Sequence, residues 1–390
     1  MPLEDSFYVV DIGVLVSQVY QWRRVFPRVE PFYAVKCNPD PLIVKTLATL
    51  GCNFDCASRN EIRLVMEATK DMPTKPDIIY ANPCKSRLGL LEAVCKGVKM
   101  VTFDNEMEVQ KCASISKNIQ LVLRIITDDR GSQCRLSSKF GAPRHKWRLL
   151  LAAAQKHGLQ VVGVSFHVGS GCRDASRYEA ALKDAREIFD LAGEYGMNMQ
   201  VLDIGGGFPG ETHRDGHFMY FTEIAEQVAP LIDEMFPPSV RIIGEPGRYF
   251  VAACATLCCS VIAARTNEMN SSFEPEAIDD KEAAENLPPL QDDYSYYIND
   301  GVYGAFNNIM FDHATVRPRI LGPGEKIVAT EEDVFGPTCD SIDVIARSVL
   351  LPKLKVGDYM YFQNMGAYTM AAASSFNGFT PSEKFYVCSV

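Results

Sequence analysis

The chain has 390 residues, 47% of them apolar, and a formal net charge of -10. That length allows two domains or one large one with a sizeable core, and the acidic balance excludes an ordinary nucleic-acid binder, which needs a basic patch. The 13 cysteines, an odd number with no CxxC pair, read as reduced thiols of a cytoplasmic protein, so neither a disulfide frame nor a metal site is expected. The opening MPLEDSFYVVDIG lacks the features of a signal peptide, and no apolar run approaches the ~20 residues of a membrane span. Neither a membrane nor a nucleic acid is therefore an expected partner.

Short apolar runs then recur in order: PFYAVKC (31–37), CNFDCAS (52–58), DIIYAN (77–82), MVTFDN (100–105), QLVLRII (120–126), VVGVSFHVG (161–169), QVLDIGGG (200–207) and VRIIGEPG (240–247). Amphipathic stretches such as NEIRLVMEA (60–68) and DASRYEAALKDAREIFDLAGEYG (174–196) lie between them. Eight strands alternating with helices predict a parallel (β/α)8 barrel, with a doubly wound open sheet as the alternative. In this reading the strands end, in turn, on Lys36, Asp55, Asn82, Asp104, Arg124, His167, Gly205 to Gly207 and Glu245. A turn accounts for any one of them. The whole series suits the C-terminal face of a barrel, because Lys, His, Arg and Glu are poor turn formers.

Beyond residue 250 the texture changes to SYYINDGVYG, ATEEDVFGPTCDSIDVI, KVGDYMYFQNMGAYT and EKFYVCSV, strand-like runs with Gly-rich turns. These predict a barrel over 12–250 and a mainly β domain over 251–390. The acidic, Pro-containing stretch 265–293 is expected to be a mobile surface loop.

The chemistry gathers at two glycine-rich ends. VLDIGGGFPG bares the backbone of Gly205, Gly206 and Gly207 to an anion, and EPGRYF adds Gly247 and the fixed charge of Arg248. By strand count these are the two loops that hold phosphate in many barrels. A lysine at such a mouth, Lys36, can carry pyridoxal phosphate, with Glu245 opposite the ring nitrogen and His167 against the ring. Taken singly, Glu245 reads as well as an ion-paired acid, and His167 as a satisfied core histidine. In the β domain, Cys339 is followed at once by Asp340 and, three residues on, by Asp343. Carboxylates beside a thiol disfavour its thiolate, which suits a proton donor. Asp300 and Asp340 could together hold a cationic group. Tyr368, in NMGAYT, is a candidate phosphate or ring partner.

Ten stretches carry a resemblance: PFYAVKCN, FDCAS, IIYANPCK, TFDNEMEV, VGVSFHVGSGC, LDIGGGFPG, EPGRY, NDGVYG, FGPTCDSID and NMGAYT. In this order, over nearly the whole chain, the sequence resembles the eukaryotic ornithine decarboxylases, pyridoxal-phosphate enzymes of fold type III that make putrescine. The resemblance implies that Lys36 bonds the cofactor, that His167 stacks on its ring, and that Glu245 meets its nitrogen. It implies phosphate contacts from Ser170, Gly205 to Gly207, Arg248 and Tyr368, with Asp55, Glu61 and Arg124 supporting the cofactor. It makes Cys339 the donor of a proton to the product, and Asp300 and Asp340 the receptors of the distal ammonium of L-ornithine. Cys339 and Asp340 then act in the partner's site of a homodimer, and the first strand, SFYVVDIG, joins the β domain. Ser341 stands where the family usually has Gly. Two rivals remain: a related lysine decarboxylase, and a non-catalytic regulator similar to the antizyme inhibitors. Antizyme itself is an expected partner through the basic residues of segment 84–118, a stretch that reads as well as a solvated helix face.

Overall fold

The computed structural model describes residues 4–129, 132, 136–172, 174–210, 221–266, 294–322 and 330–389. Two compact units emerge. One comprises Val10–Ala255, Gly366–Ala371 and Tyr386–Val390; the other comprises Met1–Val9, Thr256–Met365 and Ala372–Phe385.

The chain opens with β1 (Phe7–Asp11) and α1 (Ile12–Val25). Eight strands follow: β2 (Val29–Ala34), β3 (Asn53–Cys56), β4 (Ile78–Tyr80), β5 (Met100–Phe103), β6 (Gln120–Arg124), β7 (Gln160–Ser165), β8 (Val201–Asp203) and β9 (Arg241–Gly244). They close in sequence order into a barrel, every pairing parallel, and β9 returns to β2 through Val29 opposite Ile242. The open sheet is thereby excluded. Its interior is filled by Phe32, Ile79, Met100, Val122, Val201 and Ile243, apolar on successive strands because both faces of such strands are covered. Around it run α2 (Pro41–Thr49), α3 (Arg59–Ala68), α4 (Arg87–Cys95), α5 (Glu106–Ile115), α6 (Trp147–Lys156), α7 (Ser176–Gly193) and α8 (Phe221–Met235). Their starts are written locally. Asp40 accepts from the Leu42 and Ile43 N–H groups ahead of Pro41, the first residue of α2, and Ser58 accepts from Glu61 N–H at the head of α3.

Helix α1 is anchored by Trp22. The indole is fully buried, donates to the Val29 carbonyl at 2.8 Å, stacks on Phe221 at 5.0 Å and meets Phe208 edge-on at 5.1 Å. This nest backs the loops that follow β8 and β9 (Phe208 and Tyr249 both join it).

The second unit is a sheet ordered β12 (Arg319–Leu321), β15 (Tyr359–Phe362), β10 (Ala255–Thr266), β11 (Tyr294–Ile298), β13 (Thr330–Phe335), β14 (Val344–Leu351), with β1 pairing both β10 and β16 (Glu383–Val387). Only the β11–β13 pair is parallel among those with a described register. Strand β10 was not legible in the sequence. Arg265 and Thr266, expected to begin the acidic loop, end this strand, and the remainder of that loop lies outside the described residues. Among the described residues no helix is long and apolar enough to cross a membrane.

Candidate active site

Lys36 does not end a strand, as its sequence suggested. β2 stops at Ala34, and Lys36 sits on a 3-10 turn, Val35–Cys37. The turn is tied from several sides. Ala34 N–H donates to the Pro246 carbonyl at 3.1 Å, and Tyr368 N–H donates to the Cys37 carbonyl at 2.9 Å. Asn38 Nδ2 donates to the Gly366 carbonyl at 2.9 Å. A Cβ on Gly247 would lie 3.0 Å from the Cys37 Cβ, so the chain after β9 approaches this turn closely because that residue has no side chain.

Lys36 Nζ donates to Asp55 Oδ2. Asp55 is fully buried, whereas the lysine side chain keeps 39% of its exposure. Burial works against its charge, but Asp55 and then Glu245 outweigh burial and raise the Lys36 pKa. Glu61 supports this acid indirectly. Its carboxylate accepts Ala57 N–H at 2.7 Å and so fixes the turn that follows β3, and burial pushes its own pKa up.

A second acid cluster stands beside the first. Glu245 follows β9 directly, and Asp203 ends β8. Burial comes first among the causes that raise both, and the remaining ones include Asp55 for each. Asp203 was not singled out from the sequence. Its signal was an acid at the end of an apolar strand, immediately before three glycines. Lys36 and Arg124 oppose these negative charges.

His167 follows β7. Its Nδ1 accepts Gly169 N–H at 3.0 Å, and its carbonyl accepts the Thr127 hydroxyl at 2.8 Å. Burial, Arg124 and Lys36 drive its pKa well down. The imidazole is therefore neutral with its proton on Nε2, which faces Gly206: a Cβ there would lie 3.0 Å away.

The glycine run leaves no room for side chains. A Cβ would come 2.1 Å from the Phe166 carbonyl at Gly205, 2.6 Å from the Glu245 carbonyl at Gly206 and 2.5 Å from the Gly169 carbonyl at Gly207. Gly205 and Gly207 also have φ of +65° and +99°, a conformation L side chains rarely adopt. Tyr178, stacked on Phe208 at 5.3 Å, donates to the Gly206 carbonyl at 2.9 Å. Alongside, Arg248 donates to Ser170 Oγ at 3.1 Å and lies 5.1 Å from the ring centre of Tyr368, which adopts φ of +55°. A bare-backbone cradle with a buried guanidinium fits a phosphate. A lysine amine, a neutral imidazole and a buried carboxylate fit the ring of pyridoxal phosphate.

Two strand-end residues stand apart from this group. Asn82 Oδ1 accepts Cys84 N–H and its Nδ2 donates to the Ala57 carbonyl. Asp104 accepts Gly141 N–H at 2.9 Å. Both serve their loops. Lys85 leaves the expected basic segment: its ammonium is buried, 3.0 Å from Glu108, and Lys111 also meets Glu108.

The remaining expected residues belong to the β unit. Asp300 is buried and already has four donors: Gly301 and Ala305 N–H to Oδ1, and the hydroxyls of Ser6 and Ser382 to Oδ2. Cys339 is exposed; its N–H donates to Asn377 Oδ1 at 3.2 Å. Asp340 accepts the Tyr303 hydroxyl at 2.6 Å, and Tyr303 stacks on Phe376 at 4.2 Å. Asp343, by contrast, spends both oxygens on Val302 N–H and on the Thr338 N–H and hydroxyl, so it builds the loop. Ser341 is exposed.

Residues 12–252 match the pyridoxal-binding domain of the pyridoxal-dependent decarboxylases. The chain belongs to this family, and pyridoxal phosphate is its cofactor. Within the family it is 46% identical to ornithine decarboxylase of Mus musculus over 99% of this chain and 81% of the relative. It is also 46% identical to antizyme inhibitor 2 of Xenopus laevis, over 98% and 81%. The crystal structure of an arginine decarboxylase from Paramecium bursaria Chlorella virus superposes with a TM-score of 0.88 at 34% identity, covering 99% and 96% of the two chains.

Proposed function

We propose that this protein decarboxylates L-ornithine to putrescine and carbon dioxide. The observation that carries the chemistry is the Lys36–Asp55 pair set beside Glu245; the resemblance to ornithine decarboxylases over nearly the whole chain supports the substrate. Bound pyridoxal phosphate supplies an aldehyde for amines and a protonated ring that takes up the electrons left behind by carbon dioxide. The chain's residues do the rest. Lys36 holds the cofactor between turnovers, and Asp55 receives and returns the proton at Nζ. Glu245 answers the charge of the ring nitrogen. Neutral His167 offers the ring a face without a competing charge. Gly205 to Gly207, Ser170, Gly247, Arg248 and Tyr368 hold the phosphate, and Glu61 and Arg124 steady the acids.

In the β unit, Cys339 returns a proton to the substrate carbon. Asp340, oriented by Tyr303, receives the distal ammonium; Asp300, expected from the sequence to share that role, has its acceptor sites taken by Gly301, Ala305, Ser6 and Ser382 and so builds its own loop. We assign Cys339 and Asp340 to the partner's site in a cytoplasmic homodimer; the exposure of Cys339 supports this. Lysine differs by one methylene, worth about 1–3 kcal/mol of discrimination, so slower release from lysine accompanies this activity.

A regulator similar to antizyme inhibitor 2 is the second reading, favoured by that relative's equal identity. The intact Lys36–Asp55 pair speaks for catalysis. Antizyme binding fits alongside it, on the exposed Arg87, Lys96 and Lys99.

The test is carbon dioxide release by the cofactor-loaded protein from L-ornithine, L-lysine, L-arginine and L-leucine, with Lys36→Ala as the blank. Fastest release from ornithine, absent in the blank, is expected. Release from another amino acid alone overturns the substrate. No release with cofactor bound overturns the enzyme in favour of the regulator.

A further inference from the structure

We propose that Asp203 is a positioning residue for the cofactor ring: it shares one proton with Glu245, and keeps that proton when Glu245 meets the cationic ring nitrogen. The proposal rests on the assignment of Glu245 to that nitrogen.

The argument begins with the barrel register. Asp203 is paired with Ile243 on the neighbouring strand, and Glu245 N–H donates to the Gly205 carbonyl at 2.6 Å. The two acids therefore stand on adjacent chains, at the same end of the barrel. Asp203 is completely buried. Its Oδ1 accepts Gly205 N–H at 2.9 Å. Its Oδ2, equally buried, accepts no hydrogen bond from the protein. An ionised carboxylate out of water costs several kcal/mol unless both oxygens meet donors. The side chain within hydrogen-bonding reach is the carboxyl of Glu245, and two carboxyl groups can bond only if one of them carries a proton.

The surrounding charges agree. Facing the pair are Lys36 on the turn after β2, Asp55 on β3 and Arg124 on β6, with neutral His167 after β7. In the cofactor-free protein three acids against two cations leave one negative charge in excess, which one shared proton removes; in the loaded protein the proton stays because Asp203 Oδ2 is buried without a donor. Burial raises both acids, Asp203 to about 7; Asp203 and Asp55 push Glu245 further up, Asp55 pushes Asp203 up, and the hydrogen bond with Glu245 holds part of the rise at Asp203 back. A cationic ring nitrogen opposite Glu245 demands that acid as the anion. The proton then moves from Glu245 to Asp203, with no net gain or loss. Asp203 Oδ2–H donates to the Glu245 carboxylate and fixes its direction.

Infrared difference spectra of the cofactor-loaded protein, in water and heavy water, read the neutral carboxyl directly. Cofactor affinity of the apo-protein, by equilibrium titration, gives a second readout. Wild type is expected to show one buried neutral carboxyl band near neutral pH that Asp203→Asn removes. Asparagine still accepts from Gly205 and donates to Glu245, so its affinity stays within threefold. Asp203→Leu, which cannot donate, weakens affinity at least tenfold; melting curves confirm that each variant folds. Absence of the band overturns the proposal, as does a band that survives in Asp203→Asn, or equal losses in Asn and Leu. Unchanged affinity in Glu245→Gln overturns the Glu245 assignment, and the proposal with it.

Discussion

Lys36 donates to Asp55 from a turn one strand away, and the acid is wholly enclosed while the lysine side chain is partly exposed. The pair stores Lys36 as an ammonium, which cannot attack an aldehyde. Capture of the cofactor by apo-protein therefore accelerates with pH, roughly tenfold per unit between about pH 7 and 9. Asp55→Asn removes the counter-charge, so capture near neutrality becomes faster and its pH dependence moves to lower pH. Stopped-flow absorbance checks both, and a pH-independent rate in wild type contradicts the account.

Gly206 has an ordinary φ, so any side chain there is opposed by space alone. A methyl would press on the Glu245 carbonyl and on His167 Nε2. Gly206→Ala is expected to weaken cofactor binding at least tenfold, about 1.4 kcal/mol or more. Equilibrium dialysis of the apo-protein measures it; affinity within twofold of wild type contradicts the close approach.

The raised acids make apo-protein stability depend on pH with a definite sign. Burial pushes Asp203 up to about 7 in the folded protein, against 3.8 for an aspartate in water. Between those values the folded state binds more protons than the unfolded, so stability falls as pH rises. The melting temperature of apo-protein should decline from about pH 5 to 7.5, and Asp203→Asn should flatten that decline. A rising or unchanged trend in wild type would contradict the burial of unpaired acids.

Trp22 is the packing centre of the nest behind the two phosphate-type loops. Trp22→Ala is expected to cost about 3–5 kcal/mol. Tyr20→Ala, on the same helix but 63% exposed, should stay within ~0.5 kcal/mol. Urea unfolding of both variants supplies the comparison.

If Cys339 serves the partner's site, Lys36→Ala and Cys339→Ala are each nearly inactive, and mixing restores activity. Equal mixing gives half hybrid dimers, each with one intact site, so about a quarter of wild-type activity returns. No recovery after verified subunit exchange places Cys339 and Lys36 in one chain's site.

The barrel was legible because its strands are buried on both faces and interrupted by amphipathic helices, as PFYAVKC and QLVLRII show. β10 was not: AACATLCCSVIAA is small and apolar throughout, with neither a period of two nor one near 3.6. The turn at Lys36 escaped notice because Val35 and Cys37 extend the apolar run past the point where pairing stops. Gly205 to Gly207, Arg248 and Glu245 announced themselves as polar or bare residues after strands. Asp203 did not, since a single acid closing a strand looks like the start of a turn. Nor could spacing reveal that Ser6 and Ser382, far apart in sequence, both donate to Asp300, or that Lys85 is drawn inward by Glu108.

Tyr368 and Gly366 hold the Lys36 turn, yet they are made late. The 110 residues of Thr256–Met365 separate the barrel strands from the short segment that returns to them. At a synthesis rate of about 5–20 residues per second, a ribosome finishes β9 roughly 6 to 25 s before it completes that segment. Throughout the interval the Cys37 carbonyl and the Asn38 amide lack these partners, and Arg248 lacks the Tyr368 ring. A nascent barrel thus emerges with an unfinished cradle, and full-strength capture of the cofactor is an event of the nearly completed polypeptide.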